Sequence, residues 1–394
     1  METSSTVSDP TGEDVREVER WIALLAGEIG PRRPTSQAES VAAVAMSTRL
    51  RERDVDARVE AYPGYSTFAW PYGVILAAAL APAAIPARFR SARAALALGA
   101  AVALALEGEL RFTPVSRLLA RREGRYVTAA VEPEEEPWRT LCLVSHLDTS
   151  RSGLLFHPAL APSLGRWITA QSLAVLAGAA EPVLSRLRPG RLLLAGARAI
   201  AAAGLTLLAE RELRGEDVPG ANDNASGVAV AARLTVECAE APLRRTRLVF
   251  LATGGEEAGL LGAQEFLRRN DTDGWLFLNF DGVGAPATLR YLRQEGVFRR
   301  TPADPGLVGL AAAVAERRPD LGLEPQDVPA GLTYDTTPVL VRGGRALTLS
   351  AQDETIPNLH WPSDIPENLD RDTLRRALET ARELVAAIDR GEAG

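Results

Sequence analysis

Short apolar runs alternate with segments of helical periodicity along most of this chain, and that alternation constrains its fold more than any other feature. Residues 126–131 and 139–145 read as strands, and the second run is almost wholly apolar, as in a central strand buried on both faces. Residues 247–252, 276–280 and 346–350 repeat the signature, and 57–62 alternate as a shorter strand. Residues 12–29 place Val15, Val18, Trp21, Ile22 and Leu25 at helical spacing, and 36–52 repeat it behind Ser36 as N-cap. Residues 226–239, 257–269 and 371–388 read as further helices. Strands alternating with helices predict an α/β fold. The expected form is a three-layer sandwich, with a central mixed, mostly parallel sheet flanked by helices.

Two stretches interrupt that pattern. Residues 67–110 contain Ala/Leu-rich runs at 68–87 and 94–106, and residues 154–212 contain two more, at 167–180 and 192–209. They read as two inserted helical hairpins, leaving 1–66, 111–153 and 213–394 as one catalytic domain. The first run is long enough to span a hydrocarbon core of ~30 Å. The second, between Arg93 and Glu107, reaches only about 20 Å at ~1.5 Å per residue. Polar Thr169, Gln171 and Ser172 mark the third run, and Arg198 the fourth. The expectation is a plasma-membrane protein with lipid contact through 67–110 and 154–212; a soluble cytoplasmic protein with a helical cap is the alternative. Arginines at the hairpin tips, opposite Glu107, Glu109, Glu210 and Glu212, would leave the catalytic domain extracytoplasmic. The acidic N-terminus has no basic segment followed by an apolar one, so no cleavable signal is expected.

All 44 basic residues are Arg, and the net charge is −7. An acidic chain of this kind is not expected to bind nucleic acid. Two cysteines, Cys142 and Cys238, sit in apolar segments and are expected to be core thiols rather than a disulfide framework or a zinc site. Only three histidines, His146, His157 and His360, are present to carry imidazole chemistry.

Five segments combine a strand end or helix start with a metal-type ligand. They are Ser145-His146-Leu147-Asp148, the stretch from Gly220 through Asp223 to Gly227, Gly254-Gly255-Glu256-Glu257, Asn279-Phe280-Asp281-Gly282, and the stretch from Asn358 through His360 to Asp364. Each alone reads as a turn or solvated surface. Together they are different, because ligands in α/β sheets collect beyond the carboxyl ends of the strands. Imidazoles and carboxylates gathered on one sheet edge make a metal site. His157 is expected to be a surface or interfacial residue. The stretch from Gly282 through Gly284 to Ala287 mimics a dinucleotide fingerprint, but Pro286 and the lack of a following helix argue against one.

In their order, SHLDT, GANDNASGVA, GGEEAGLLG, NFDGVG and NLHWPSD resemble the co-catalytic di-zinc exopeptidases of the bacterial leucyl aminopeptidase and aminopeptidase S type. Glutamate carboxypeptidase and glutaminyl cyclase are more distant members of that group. The resemblance covers roughly residues 12–66, 111–153 and 213–391. It implies two zinc ions, with manganese or cobalt as alternatives. His146 and Asp281 would hold one ion, His360 and Glu257 the other, and Asp223 would bridge them. Glu256 would be the general base, acting on a metal-bridging hydroxide. Asp148 would orient His146, and Asp364 would stand similarly near His360. The implied activity is hydrolysis of a terminal peptide bond, most naturally by an aminopeptidase; a carboxypeptidase or a glutaminyl-cyclase-like acyl transferase is the alternative. A catalytically silent, membrane-anchored scaffold is the reading from another class. Thr336 departs from the family, which often has His there.

Overall fold

The apolar runs become the strands of one eight-stranded sheet. The computed structural model describes residues 10–86, 88–327 and 332–393. In chain order the strands are β1 (Ala57–Gly64), β2 (Arg122–Val131), β3 (Arg139–His146), β4 (Thr246–Thr253), β5 (Leu276–Phe280), β6 (Leu289–Leu292), β7 (Glu324–Gln326) and β8 (Arg345–Ala351). Their order across the sheet is β1-β2-β4-β3-β5-β8-β6-β7. The four central strands β4, β3, β5 and β8 run parallel. Antiparallel pairs join β1 to β2, β2 to β4 and β8 to β6. The sheet is therefore mixed, with a parallel centre.

The longer helices are α1 (Pro10–Ile22), α2 (Gln37–Arg51), α3 (Ala69–Leu80), α4 (Arg90–Glu109), α5 (Leu164–Ala179), α6 (Arg188–Arg214), α7 (Gly227–Glu240), α8 (Leu261–Arg269), α9 (Pro305–Arg317) and α10 (Arg371–Asp389). Strand side chains alternate between the two faces. Leu141 and Leu143 of β3 join the core under α1, α2, α7, α9 and α10, while Cys142 and Val144 join the core under α8. A strand covered on both sides must be apolar at every position, which is why β3 reads as an unbroken run. Both cysteines are free, buried thiols.

Helix α9 and strands β6 and β7 do not figure in the sequence reading. The signal for α9 was present: Asp304 caps Leu307 N–H at 2.9 Å and Pro305 opens the helix. The segment 285–305 contains β6 and a two-stranded ribbon, 294–295 with 301–302. The short helix Thr337–Leu340 precedes β8.

The two inserted stretches pack on each other as a four-helix unit. Ile75 and Leu76 of α3, Ala100 and Leu104 of α4, Val175 of α5 and Ala201 and Leu208 of α6 form a core of their own. The longest apolar run in the sequence, 68–87, does not become one long helix. It stops at Leu80 and passes into a tight turn over Ala81–Ala84, where Pro82 has no N–H to continue the ladder. The shorter run at 94–106 lies inside the 20-residue α4, extended by flanking Arg and Glu residues that favour helix. Among the described residues, helices α4 and α6 are thus the two long and apolar enough to cross a membrane.

Buried polar residues clamp the base of this unit to the sheet. Arg211 near the end of α6 donates to Thr67 Oγ1 and Ser150 Oγ, both at 2.8 Å. Its guanidinium stacks 4.5 Å from the Phe68 ring centre. Glu107 of α4 accepts from Ser116 N–H at 3.0 Å and Ser116 Oγ at 2.7 Å.

Candidate metal centre

Strands β3, β4 and β5 end at the same edge of the sheet. His146 is the last residue of β3, and Asp281 directly follows β5. Glu256 and Glu257 open a short helix just after β4. Asp223 lies in the connection that enters α7, and its peptide bond to Asn224 is cis. His360 comes from the loop between β8 and α10, with φ of 50°.

Asp223 stands between the two imidazoles. Its Oδ1 lies 3.0 Å from His146 Nε2 and its Oδ2 lies 3.3 Å from His360 Nε2. Asp281 Oδ2 approaches His146 Nε2 at 3.7 Å, and Glu257 Oε1 approaches His360 Nε2 at 2.9 Å. Glu257 Oε1 nevertheless has no hydrogen-bond partner. Single ligand atoms of His146, Asp223 and Glu257 lie within 4.8 Å of one another, and all three residues are buried. Imidazole nitrogens and carboxylate oxygens are the donor set that zinc takes. The residues present fit a bound metal.

Backbone hydrogen bonds hold these side chains in place. Asn224 Nδ2 donates to Phe280 O, and its Oδ1 accepts from Gly227 N–H at 3.0 Å and Gly282 N–H at 3.2 Å. Asn222 Oδ1 accepts from Gly284 N–H at 2.9 Å. The Asp223 loop and the Asp281 loop are thereby knitted together. Gly227 is required because a Cβ there would lie 2.0 Å from Phe280 O.

The structure corrects the roles expected of two supporting residues. The nearest partner of His146 Nδ1 is the backbone carbonyl of Asp148, at 3.1 Å, while the carboxylate stands off at 3.9 Å. That carboxylate instead accepts from Glu256 N–H at 3.1 Å and Glu257 N–H at 3.0 Å. Asp364 does not contact His360; it accepts from Asn222 N–H at 2.7 Å and Asp223 N–H at 3.0 Å. Each carboxylate fixes the backbone beneath a ligand. Burial pushes both up to about 7, and nearby carboxylates add to the rise.

Glu256 is half-buried beside the ligands. Burial and then the Glu257, Asp335 and Asp281 charges push its carboxyl well above the usual range, against the pull of His146. Burial alone would lower His360, but Glu257 and Asp223 raise it to about 9.

Several residues at the site gave no signal in the sequence. Arg32 is fully buried and donates to the carbonyls of Leu25, Gly30, Leu147, Pro219 and Gly220. It ties the segment after α1 to the loops bearing Asp148 and Asp223. Neighbouring Arg33 forms an ion pair with Glu212 instead, and nothing in the local sequence separates the two. Asp335 is buried behind the site and accepts from Thr253 Oγ1 at 2.7 Å. Thr336 is spent on Glu295 and Thr348, away from the ligands. His157 is exposed and packs against Trp361.

A second cue comes from the inserted helices. Phe156, before α5, packs against His360 with ring centres 4.3 Å apart and ring planes at 63°. A cavity of about 280 Å³ runs from the ligands into the four-helix unit. An adjoining cavity of about 530 Å³ is more polar, with Arg300, Gln326, Gln352 and Asp353 in its walls.

Residues 207–385 match the model of Peptidase family M28, the zinc exopeptidase group that the motifs resemble. That span holds Asp223, Glu256, Glu257, Asp281 and His360; His146 lies upstream of it. A probable zinc metalloprotease of Leptosphaeria maculans is 38% identical over 117 residues, 29% of this chain and 26% of that protein. A probable lipoprotein aminopeptidase of Mycobacterium tuberculosis is 36% identical over 72 residues, 17% of this chain and 14% of that protein. The chain thus spans about a quarter or less of these relatives. Among solved structures, a zinc aminopeptidase of Bacillus subtilis superposes with a TM-score of 0.58 at 14% identity, covering 95% of each chain. A glutaminyl cyclase of Bacteroides thetaiotaomicron gives 0.55 at 12% identity, covering 94% of this chain and 97% of that one. The shared fold is the α/β sandwich expected from the sequence.

Replacing Asp364 with Ala leaves every ligand side chain intact but frees the backbone beneath Asp223. Metal affinity should fall about 10- to 100-fold, read by competition with a chromogenic chelator.

Proposed function

We propose, from the match to Peptidase family M28, that this chain is a zinc-dependent exopeptidase, acting as an aminopeptidase with two metal ions. The observation that carries this reading is Asp223, placed between two imidazoles with one carboxylate oxygen toward each. His146 and Asp281 would hold one ion, and His360 and Glu257 the other. When bound, such ions polarise the scissile carbonyl and bring the pKa of water toward ~7.

The chain's own residues supply the proton transfers. Glu256 stands half-buried beside the proposed ligands, and Asp148 holds its backbone. It takes a proton from the attacking water, whose oxygen joins the carbonyl carbon. The C–N bond breaks, and the proton passes from Glu256 to the departing nitrogen, leaving an acid and an amine.

The cavity bearing the ligands favours an aminopeptidase over a carboxypeptidase. No arginine stands among its described lining residues to receive a terminal carboxylate, and the chain has no lysine. The leaving peptide would run into the more polar adjoining cavity. The complete donor set with its base speaks against a silent scaffold.

Membrane association is part of the proposal. Trp70, Val74, Leu98, Val102, Leu173 and Leu192 lie exposed on the outside of the four-helix unit. A patch of this kind marks an interaction surface in a soluble protein, and an acyl layer would cover it.

Two outcomes follow. Purified protein should carry zinc and hydrolyse aminoacyl anilides, lose activity on chelation and regain it with metal. Glu256→Gln should lower kcat by about 10²- to 10⁴-fold with metal content unchanged; retained activity overturns the assigned base. The protein should partition with membranes and need detergent for extraction. A monodisperse protein without detergent overturns the membrane reading alone.

A further inference from the structure

Resting on that reading, we propose that the natural substrate carries a long hydrocarbon chain on the acyl side of the scissile amide, seated between the inserted helices. The cavity that begins at both imidazoles and Glu256 continues to Ile75 of α3, Leu104 of α4, Ile168 and Val175 of α5, and Leu207 and Leu208 of α6. All four inserted helices contribute, so the inserts extend the space that opens at the sheet edge.

Its deep wall offers little to a polar group. Ser172 Oγ donates to Ile168 O at 2.9 Å, and Gln171 Nε2 donates to Ile200 O at 2.8 Å. One acceptor, Gln171 Oε1, is left without a partner. The cavity of about 280 Å³ takes in the space beside His146, Glu256 and His360 and the apolar space between the four helices, so a chain leaving the scissile bond on this side meets apolar walls. The adjoining polar cavity, with Arg300 and Asp353, suits the amine side of the bond, which leaves the apolar one for the acyl side. Hydrolysis is unchanged in its balance: water's oxygen goes to the acyl carbon and its proton to the leaving nitrogen.

The hydrocarbon has two sources, a 2-amino acid with a long side chain or a plain fatty acyl group. Two series of anilides, from butanoyl to dodecanoyl, with and without the 2-amino group, separate them on the metal-loaded full chain. The expected result is kcat/KM rising about fourfold per methylene until the cavity is filled. A rise in both series assigns recognition to the hydrocarbon alone; a rise only in the amino series assigns it to long-chain amino acids. Leu207→Trp and Ile168→Trp, on different helices, should each move the optimum to shorter chains. A kcat/KM that is flat or falls beyond the leucyl length overturns this inference, while chelator-sensitive hydrolysis of alanyl anilide keeps the exopeptidase reading. No hydrolysis of any anilide overturns both.

Discussion

Burying many carboxylates at one edge of a sheet is the constraint on which this structure depends. Asp148, Asp223, Glu257, Asp281, Asp335 and Asp364 are all buried there. Taking a carboxylate from water costs several kcal/mol unless charge or hydrogen bonds replace the water. The structure does this in two ways. Asp148 and Asp364 each accept two backbone N–H groups, and buried Arg32 stands near both. Asp223, Glu257 and Asp281 face the imidazoles instead, a grouping that a divalent cation stabilises far better than neutral water does. The supporting carboxylates aim the ligand loops, so the charge that is costly to bury also sets the geometry.

The inserted helices are not appendages of that arrangement. Phe156 packs on His360, and Arg211 joins Phe68, Thr67 and Ser150 at the base of the helical unit. His360 Nδ1 is buried without a polar partner, so its ring is positioned by packing and by its ligand neighbours. The same helices wall the apolar cavity. The outer face proposed for membrane contact and the wall of this cavity are therefore two sides of the same helices.

Much of this was legible in the sequence. The central strands are covered on both faces and must be apolar throughout, so they stand out as runs. Ligands at strand ends stand out because chemistry-bearing residues follow those runs directly. What stayed hidden has a common cause. Arg32 and Arg33 are neighbours of one residue type, and only the distant carbonyls of Leu147, Pro219 and Gly220 make the first a buried clamp. That Asp148 meets His146 through its carbonyl, while its carboxylate holds the backbone of Glu256 and Glu257, is not legible in spacing. Strands β6 and β7 are too short to show a periodicity.

By itself, the amino-acid sequence determined the α/β class, the strand ends that bear His146, Glu257 and Asp281, and the presence of four apolar inserted runs. These follow from local rules: side-chain period, residue type and spacing along the chain. Only the tertiary structure decided that Asp364 serves Asp223 rather than His360, and that the inserts enclose a cavity open to both imidazoles. Each of these is a contact between segments far apart in sequence. Its energy comes from burial and hydrogen bonds that exist only once the chain has closed on itself.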